Sequence, residues 1–209
     1  MPRIAPFERY PKRYDRWFNN NFHAYESELF AIQKKIPKGK FGIEIGVGSG
    51  RFAAPLGIKL GVEPSAKMRM LSKEKDIDLI DSIAETLPFR DSMFEFVLMV
   101  TTICFIDDID LSFKEAFRIL RKEGKFIIGF IDRKSPIGKK YEKYKENNVF
   151  YEIADFYSVE EVISHLKKAK FKNLTFNQTI FNDLSNIIKP EPVKEGCGEG
   201  SFVVIQAIK

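Results

Sequence analysis

The chain has 209 residues, 44% of them hydrophobic and 30% charged, which predicts one globular domain with a substantial core. Its 34 Lys and Arg residues exceed its 29 Asp and Glu by a net charge of only +5, spread along the sequence, so we expect nucleic acid not to be a partner. The sequence also lacks an apolar run near the roughly 18 residues that a membrane span needs and has no signal-peptide core at its start, so we expect no membrane association and a cytoplasmic location.

Residues that bind metals or form disulfides are scarce. Cys104 and Cys197 are too few for a disulfide framework or a zinc site, and His23 and His165 do not form a ligand pair. We therefore expect no metal in the mechanism.

The N-terminal region contains three prolines within residues 1–12, which predicts a poorly ordered leader. Amphipathic helices are predicted over residues 14–18 and 26–36, and Pro37 ends the second one.

A glycine-rich stretch, Gly42-Ile-Glu-Ile-Gly-Val-Gly-Ser-Gly-Arg51, follows these helices. Ile43 and Ile45 predict a short strand, and the glycines that follow predict a tight turn. Such a turn between a strand and a helix places backbone amides against a ligand at the carboxyl end of a sheet. We therefore expect bare amides here to face a ligand.

Two carboxylates indicate which ligand this turn serves. Glu44 lies two residues before Gly46, where a negative charge would repel a pyrophosphate. A dinucleotide fingerprint would also place glycine where Arg51 stands. Glu63 ends a second predicted strand, residues 59–62, and an acid there can accept two hydrogen bonds from a ribose diol. The pattern favours a nucleoside that carries a positive charge.

The remaining chain alternates strands with helices. Ser65 is predicted to cap a helix that runs to Lys73, and Ser158 opens a capping box. Strands are predicted at residues 77–80, 94–100, 125–131, 171–181 and 201–208, and helices at 111–120 and from 158 onward. Residues 135–157 form a helical and aromatic insert. This alternation predicts one α/β domain, residues 1–209, with a mostly parallel sheet.

Three blocks in order carry a family resemblance. They are the Ile43–Arg51 block, Gly61-Val-Glu-Pro-Ser65, and Ala84-Glu-Thr-Leu-Pro-Phe-Arg-Asp-Ser-Met-Phe-Glu-Phe96. Together they resemble the class I S-adenosylmethionine (SAM) methyltransferases, in particular the small-molecule subgroup that includes the quinone-biosynthesis C-methyltransferases. The resemblance implies a Rossmann-like three-layer sandwich whose seven-stranded, mostly parallel sheet ends in an antiparallel C-terminal hairpin. It further implies SAM as cofactor and in-line methyl transfer to an unidentified small-molecule acceptor.

The resemblance also assigns site residues, which we give as expectations. The methionine end of SAM is assigned to Glu44, Gly46, Gly48 and Thr101, the ribose to Glu63, and the adenine to Met68, Ala84 and Glu85; Val47 and Pro64 are expected to contact the cofactor. Residues 1–37 are expected to form a helical lid that brings Tyr14 and Trp17 against the ligand, and the insert at 135–157 is expected near the acceptor. Ile83 stands where the family commonly has an Asp that binds the adenine amino group, so adenine contact would rest on Ala84 or Glu85. No catalytic residue is identified.

Two other functions remain open at this stage. One is a SAM-binding sensor without catalysis, because no general base is evident. The other is a nicotinamide-dependent dehydrogenase, which Arg51 and Glu44 disfavour. An aromatic group, Phe150, Tyr151 and Tyr157 with Tyr14 and Trp17, indicates a small and partly apolar acceptor.

Overall fold

An eight-stranded sheet organises the molecule in the computed structural model, which describes residues 3–209. The strands are β1 (Gly42–Ile45), β2 (Leu60–Val62), β3 (Asp78–Ile80), β4 (Phe94–Val100), β5 (Leu120–Ile131), β6 (Lys172–Thr179), β7 (Lys194–Glu195) and β8 (Phe202–Ile208). Their spatial order is β3-β2-β1-β4-β5-β8-β6-β7. The first five are mutually parallel, and β8 runs antiparallel to both β5 and β6. The mostly parallel sheet and its antiparallel C-terminal pair are confirmed, with the two-residue β7 added at the edge.

Seven α-helices accompany the sheet over residues 3–209. They are α1 (Ala5–Arg9), α2 (Pro11–Asn20), α3 (Phe22–Gln33), α4 (Ala66–Lys73), α5 (Ile109–Ile119), α6 (Pro136–Lys143) and α7 (Val159–Lys168). Side-chain oxygens cap several of them as predicted: Ser65 accepts the amide of Met68, and Ser158 with Glu161 completes a capping box.

The poorly ordered leader is a wrong prediction for most of its length, and residues 1 and 2 lie outside the described part of the chain. Residues 5–9 and 11–20 are helical because Pro6 and Pro11 occupy the first turns of α1 and α2. Proline has no backbone N–H to donate, but the N–H groups of a first helical turn have no partner within the helix. Proline at this position therefore starts a helix instead of breaking one. After the glycine-rich stretch, residues 51–57 form a series of turns and not a helix.

The sheet is covered on both faces, which gives the three-layer sandwich. On one face α5 and α7 pack against it, with Phe113 and Phe126 meeting edge to face at 5.1 Å between ring centroids. On the other face Ile32 of α3 belongs to a second cluster with Ile127 of β5. Neighbouring β5 residues thus enter different clusters, as the twofold repeat of a strand requires.

The carboxyl ends of three parallel strands meet at one edge and position the site. Ile45 of β1 lies beside Val62 of β2, and Glu44 lies beside Leu98 of β4. The residues that follow these strands, Gly46, Glu63 and Thr101, are therefore brought to the same edge.

None of the helices formed by residues 3–209 is long and apolar enough to cross a membrane. Within the same residues, no cluster of three or more His, Cys, Asp or Glu side chains could hold a metal ion.

Candidate active site

The glycine-rich turn is bonded tightly onto β2. Its backbone requires left-handed conformations, with φ of +71° at Gly46 and +55° at Gly48. A Cβ on Gly46 would lie 2.4 Å from Cγ2 of Thr102, so only glycine fits. The amides of Gly46 and Val47 both donate to the carbonyl of Val62, at 2.7 and 3.0 Å.

The expectation that bare amides of this turn face a ligand is therefore wrong for Gly46, Val47, Gly48 and Gly50. Besides the two amides bonded to Val62, the amide of Gly48 donates to Glu63 and that of Gly50 to the carbonyl of Val47. The carbonyl of Gly46 takes only a long 3.3 Å bond from the Thr102 hydroxyl, so it can accept a further hydrogen bond from a ligand. An acceptor suits a positively charged ligand.

Glu63 lies at the end of β2 with its carboxylate held in place. Oε2 accepts the Gly48 amide at 2.9 Å, and Oε1 accepts the Ser65 amide at 2.8 Å. Burial raises the pKa of Glu63 above its ordinary value, and the two amides oppose that rise. Each oxygen keeps a lone pair that can accept a further hydrogen bond from a ligand hydroxyl.

A first cavity, of about 90 Å³, opens between the turn and the N-terminal segment. It brings together most of the residues expected to bind SAM, namely Tyr14, Gly46, Gly48, Glu63, Pro64, Met68, Ala84, Glu85 and Thr101. Arg3, Ile4 and Phe7 close it from the N-terminal side.

Three expected residues lie elsewhere. Glu44 is buried behind the turn, where it accepts the Ala53 amide; burial raises its pKa well above the ordinary value. Its Oε2 has no hydrogen-bond partner within the described part of the chain. Val47 packs over Gly61, where an added Cβ would lie 2.9 Å from Cβ of Val47. Trp17 lines the neighbouring cavity.

The segment around Ile83 lines the first cavity without an acidic side chain free to bind a base. Glu85 directs Oε1 to the amides of Asp107 and Asp108, at 2.8 and 3.2 Å, and so holds the start of α5. An adenine here would rest on the backbone of Ile83 and Ala84.

A second cavity, of about 320 Å³, adjoins the first and is largely aromatic. Every aromatic residue singled out in the sequence lines it, namely Tyr14, Trp17, Phe150, Tyr151 and Tyr157. Three residues line both cavities, and these are Tyr14, Thr101 and Phe105. The two cavities therefore adjoin at these residues, which we call the junction.

Local contacts hold Thr101 and Tyr14 in place at the junction. Thr101 follows β4 with a φ of +49°, a strained conformation for a residue with a branched side chain, and its amide donates to the carbonyl of Gly129. The Tyr14 hydroxyl shares a hydrogen bond with Thr101, and burial raises the pKa of Tyr14 so that the phenol stays neutral. Its ring meets Phe7 and Phe18 edge to face.

Two features of the site escaped the sequence analysis. The first is an ion pair that fastens α2 to the turn: Oδ1 of Asp15 accepts from Nε of Arg51 and from the Ser49 hydroxyl, each at 2.7 Å. Nothing in the sequence marks a pair 36 residues apart. The second is Glu28, a buried carboxyl that lines the second cavity. A signal for it existed, because Glu28 stands one turn before Ile32 on the apolar face of α3.

The chain is similar in sequence and in fold to known proteins. Residues 43–128 match the family described as "Methyltransferase domain". An uncharacterized protein of Methanocaldococcus jannaschii is 46% identical over 203 residues, covering 97% of this chain and 98% of that protein. A solved structure from Thermotoga maritima, named a SAM-dependent methyltransferase and possible histamine N-methyltransferase, is 48% identical with a TM-score of 0.97 and covers 99% of both chains.

The resemblance to the quinone-biosynthesis enzymes is confirmed at a greater distance. The ubiquinone/menaquinone biosynthesis C-methyltransferase of Rickettsia typhi is 34% identical over 107 residues, which span 47% of this chain and 41% of that enzyme. The glycine-rich turn and the acid after β2 agree with the near-complete match to the Thermotoga structure. The chain therefore belongs to the class I SAM-dependent methyltransferases, and SAM is its cofactor.

Proposed function

We propose that this enzyme transfers the methyl group of SAM, held in the first cavity, to a small molecule held in the second. The observation that carries the proposal is the shared wall of the two cavities, formed by Tyr14, Thr101 and Phe105. When bound, SAM supplies a methyl group already activated by a positively charged sulfur. The acceptor atom attacks that carbon in line as the carbon–sulfur bond breaks, and S-adenosylhomocysteine leaves.

The residues of the first cavity fit SAM in their chemistry. A Cβ on Gly48 would project into the space between Met68 and Tyr14, so this position is kept bare for a ligand. We assign the SAM ammonium to the carbonyl of Gly46 and the ribose hydroxyls to Glu63. The adenine is assigned to the backbone of Ile83 and Ala84.

Three further assignments come from the placement of side chains. Thr101 and the ring of Tyr14 lie at the junction, where the aromatic face would stabilise the sulfonium cation. Glu44 and Val47 would act from behind the turn by holding its shape. Met68, which is 1% exposed, would pack against the adenine.

The N-terminal helices fit the role of a lid. α1 and α2 supply one side of the first cavity, and the Asp15–Arg51 pair fastens them to the turn. SAM entry would require these helices to move, and their return would exclude water from the junction. Within this site the protein contributes closeness and alignment, which can lower a barrier by about 7–11 kcal/mol.

The second cavity supports a small acceptor over a nucleic acid. Its walls are aromatic, and the insert at residues 135–157 contributes Tyr141, Phe150 and Tyr151 to them. The Thermotoga protein's description as a possible histamine N-methyltransferase is in keeping with an acceptor of this size. A cytoplasmic location stays a prediction.

Turnover of methyl-labelled SAM against a panel of small metabolites, with tRNA and a bulk protein extract as competitors, tests the proposal. We expect label in one or more metabolites and none in the macromolecules. Thermal shifts with SAM, S-adenosylhomocysteine and NAD provide the binding control, since a ligand at about 100 times its dissociation constant adds roughly 2.7 kcal/mol. Label found only in RNA or protein would overturn the small-molecule assignment.

A further inference from the structure

Glu28 is a buried carboxyl with no hydrogen-bond or ion-pair partner among residues 3–209. It lies on α3, is 3% exposed, and lines the second cavity. Within residues 3–209 it forms no hydrogen bond or ion pair, whereas the equally buried Glu63 accepts two amides. Buried polar groups are almost always bonded, so an exception at a cavity wall marks a group that is able to bind a ligand.

The surroundings of Glu28 do nothing to stabilise its charge. Burial alone raises its pKa to about 8, and no cation contributes. The titratable groups that interact with it electrostatically are phenols, those of Tyr25, Tyr141 and Tyr151. A carboxyl kept in such a place destabilises the fold and serves no packing purpose that an apolar residue would not serve better.

Aromatic rings line the same cavity as this carboxyl. The rings of Tyr141 and Tyr151 lie 4.4 Å apart between centroids, and the indole of Trp17 lines the same cavity. An organic amine is recognised by two features together. One is a carboxylate, which supplies the negative charge, and the other is a set of aromatic faces, which attract a cation and pack against hydrocarbon.

We propose that the methyl acceptor is a small organic amine, and that Glu28 selects it by pairing with its ammonium group while the aromatic walls bind its hydrocarbon part. An ammonium nitrogen has no lone pair, so it can attack the methyl carbon only once its proton has passed to the Glu28 carboxylate. This inference rests on the proposed function, because it takes the second cavity to be the acceptor site. Glu28 is a specificity-determining residue in this scheme. The distinction it makes is between an amine and a molecule of the same shape without the charge.

Pairs of ligands that differ in having an amine or an alcohol group test whether Glu28 selects the amine. The protein loaded with S-adenosylhomocysteine is titrated calorimetrically with 2-phenylethylamine and 2-phenylethanol, and with the matching indolyl, imidazolyl and cyclohexyl pairs. We expect at least one amine to bind ten-fold or more tightly than its alcohol. Glu28→Gln, which keeps the shape, should abolish that preference, while Glu26→Gln on the same helix should retain it. A panel in which no amine is preferred, or a preference that survives Glu28→Gln, overturns the inference.

Proton release gives a second readout that a purely structural role would not affect. At pH 7 the Glu28 carboxyl is mostly protonated, and pairing with an ammonium would ionise it. Titrations in two buffers of different ionisation enthalpy should therefore show about one proton released per amine bound, and none for Glu28→Gln. Binding without proton release contradicts the pairing. Affinity for S-adenosylhomocysteine and turnover with a non-amine acceptor report on the proposed function separately: if both persist while amine selection fails, only this inference is lost.

Discussion

The amide of Gly48 donates to Oε2 of Glu63 at 2.9 Å, which joins the turn after β1 to the end of β2. Because the Ser65 amide binds the other oxygen, the carboxylate cannot rotate away from the first cavity. The glycine turn and the acid therefore form one unit, in which each part orients the other. Changing either should affect SAM binding more than the overall fold.

Replacing Glu63 by Gln tests this unit directly. Gln can accept one of the two amides but sets its own NH₂ against the other, and it loses the charge offered to the ribose. We expect SAM affinity measured by calorimetry to fall by roughly 1.5–3 kcal/mol. Glu95→Gln is the matched control, since Glu95 also accepts a backbone amide, that of Phe41, away from the first cavity. Unchanged SAM affinity in Glu63→Gln would remove the ribose assignment.

A pair of glycines separates the cost of backbone strain from the cost of blocking the cavity. Gly48 and Gly57 both have left-handed backbones, with φ of +55° and +71°, and neither has an atom closer than 3.7 Å to an added Cβ. Alanine at either position should cost about 1–2 kcal/mol of stability. Only Gly48→Ala places a methyl group in the first cavity, so we expect it alone to lose SAM binding. Equal SAM affinity in the two variants would show that the ligand lies elsewhere.

Local chemistry explains why much of this site could be predicted from the sequence. The glycine turn, the acid after β2 and the caps at Ser65 and Ser158 depend on residues within a few positions of one another. Their spacing therefore carries the information. The alternation of strands and helices similarly determined the parallel sheet.

The features that could not be predicted depend on contacts between distant segments or on partners that spacing does not show. Asp15 meets Arg51 only after α2 has folded over the turn. The amides of Gly46 and Val47 looked free in the sequence because their partner, the carbonyl of Val62, belongs to another strand. The orientation of Glu28 into a cavity likewise depends on helices and loops from three parts of the chain.

Tyr14 should bind SAM through its ring and not through its hydroxyl. Tyr14→Phe keeps the aromatic face at the junction, so we expect SAM affinity within about threefold of the original. Tyr14→Ala removes the ring that lines both cavities, and the lost cation–π contact alone is worth about 0.5–2 kcal/mol. Tyr144→Ala, at an exposed tyrosine, is the control. A Phe variant as weak as the Ala variant would assign the role to the hydroxyl.

The Asp15–Arg51 pair should control how long SAM stays bound. Arg51 holds the pKa of Asp15 below its ordinary value although burial opposes this, so the pair is ionised at neutral pH. Asp15→Asn removes the charge and frees α2 from the turn. We expect SAM dissociation in stopped-flow measurements to accelerate about tenfold and stability to fall by about 1–3 kcal/mol. Asp91→Asn breaks an exposed pair with Arg118 and should change neither. An unaltered dissociation rate in Asp15→Asn would argue against a lid.

The unpartnered carboxyl of Glu28 should lower stability in a pH-dependent way. Its pKa rises from an ordinary 4.5 when unfolded to about 8 when folded, so the cost of burying its charge is absent below pH 4.5, grows as the pH rises and is complete above pH 8. Glu28→Gln does not titrate. Urea unfolding should therefore show the variant gaining on the original protein by roughly 2 kcal/mol between pH 6 and pH 8.5. Glu142→Gln, at an exposed residue, is the control and should show no such gain. A stability difference that stays constant with pH would mean that Glu28 is ionised in the folded protein and already has a partner.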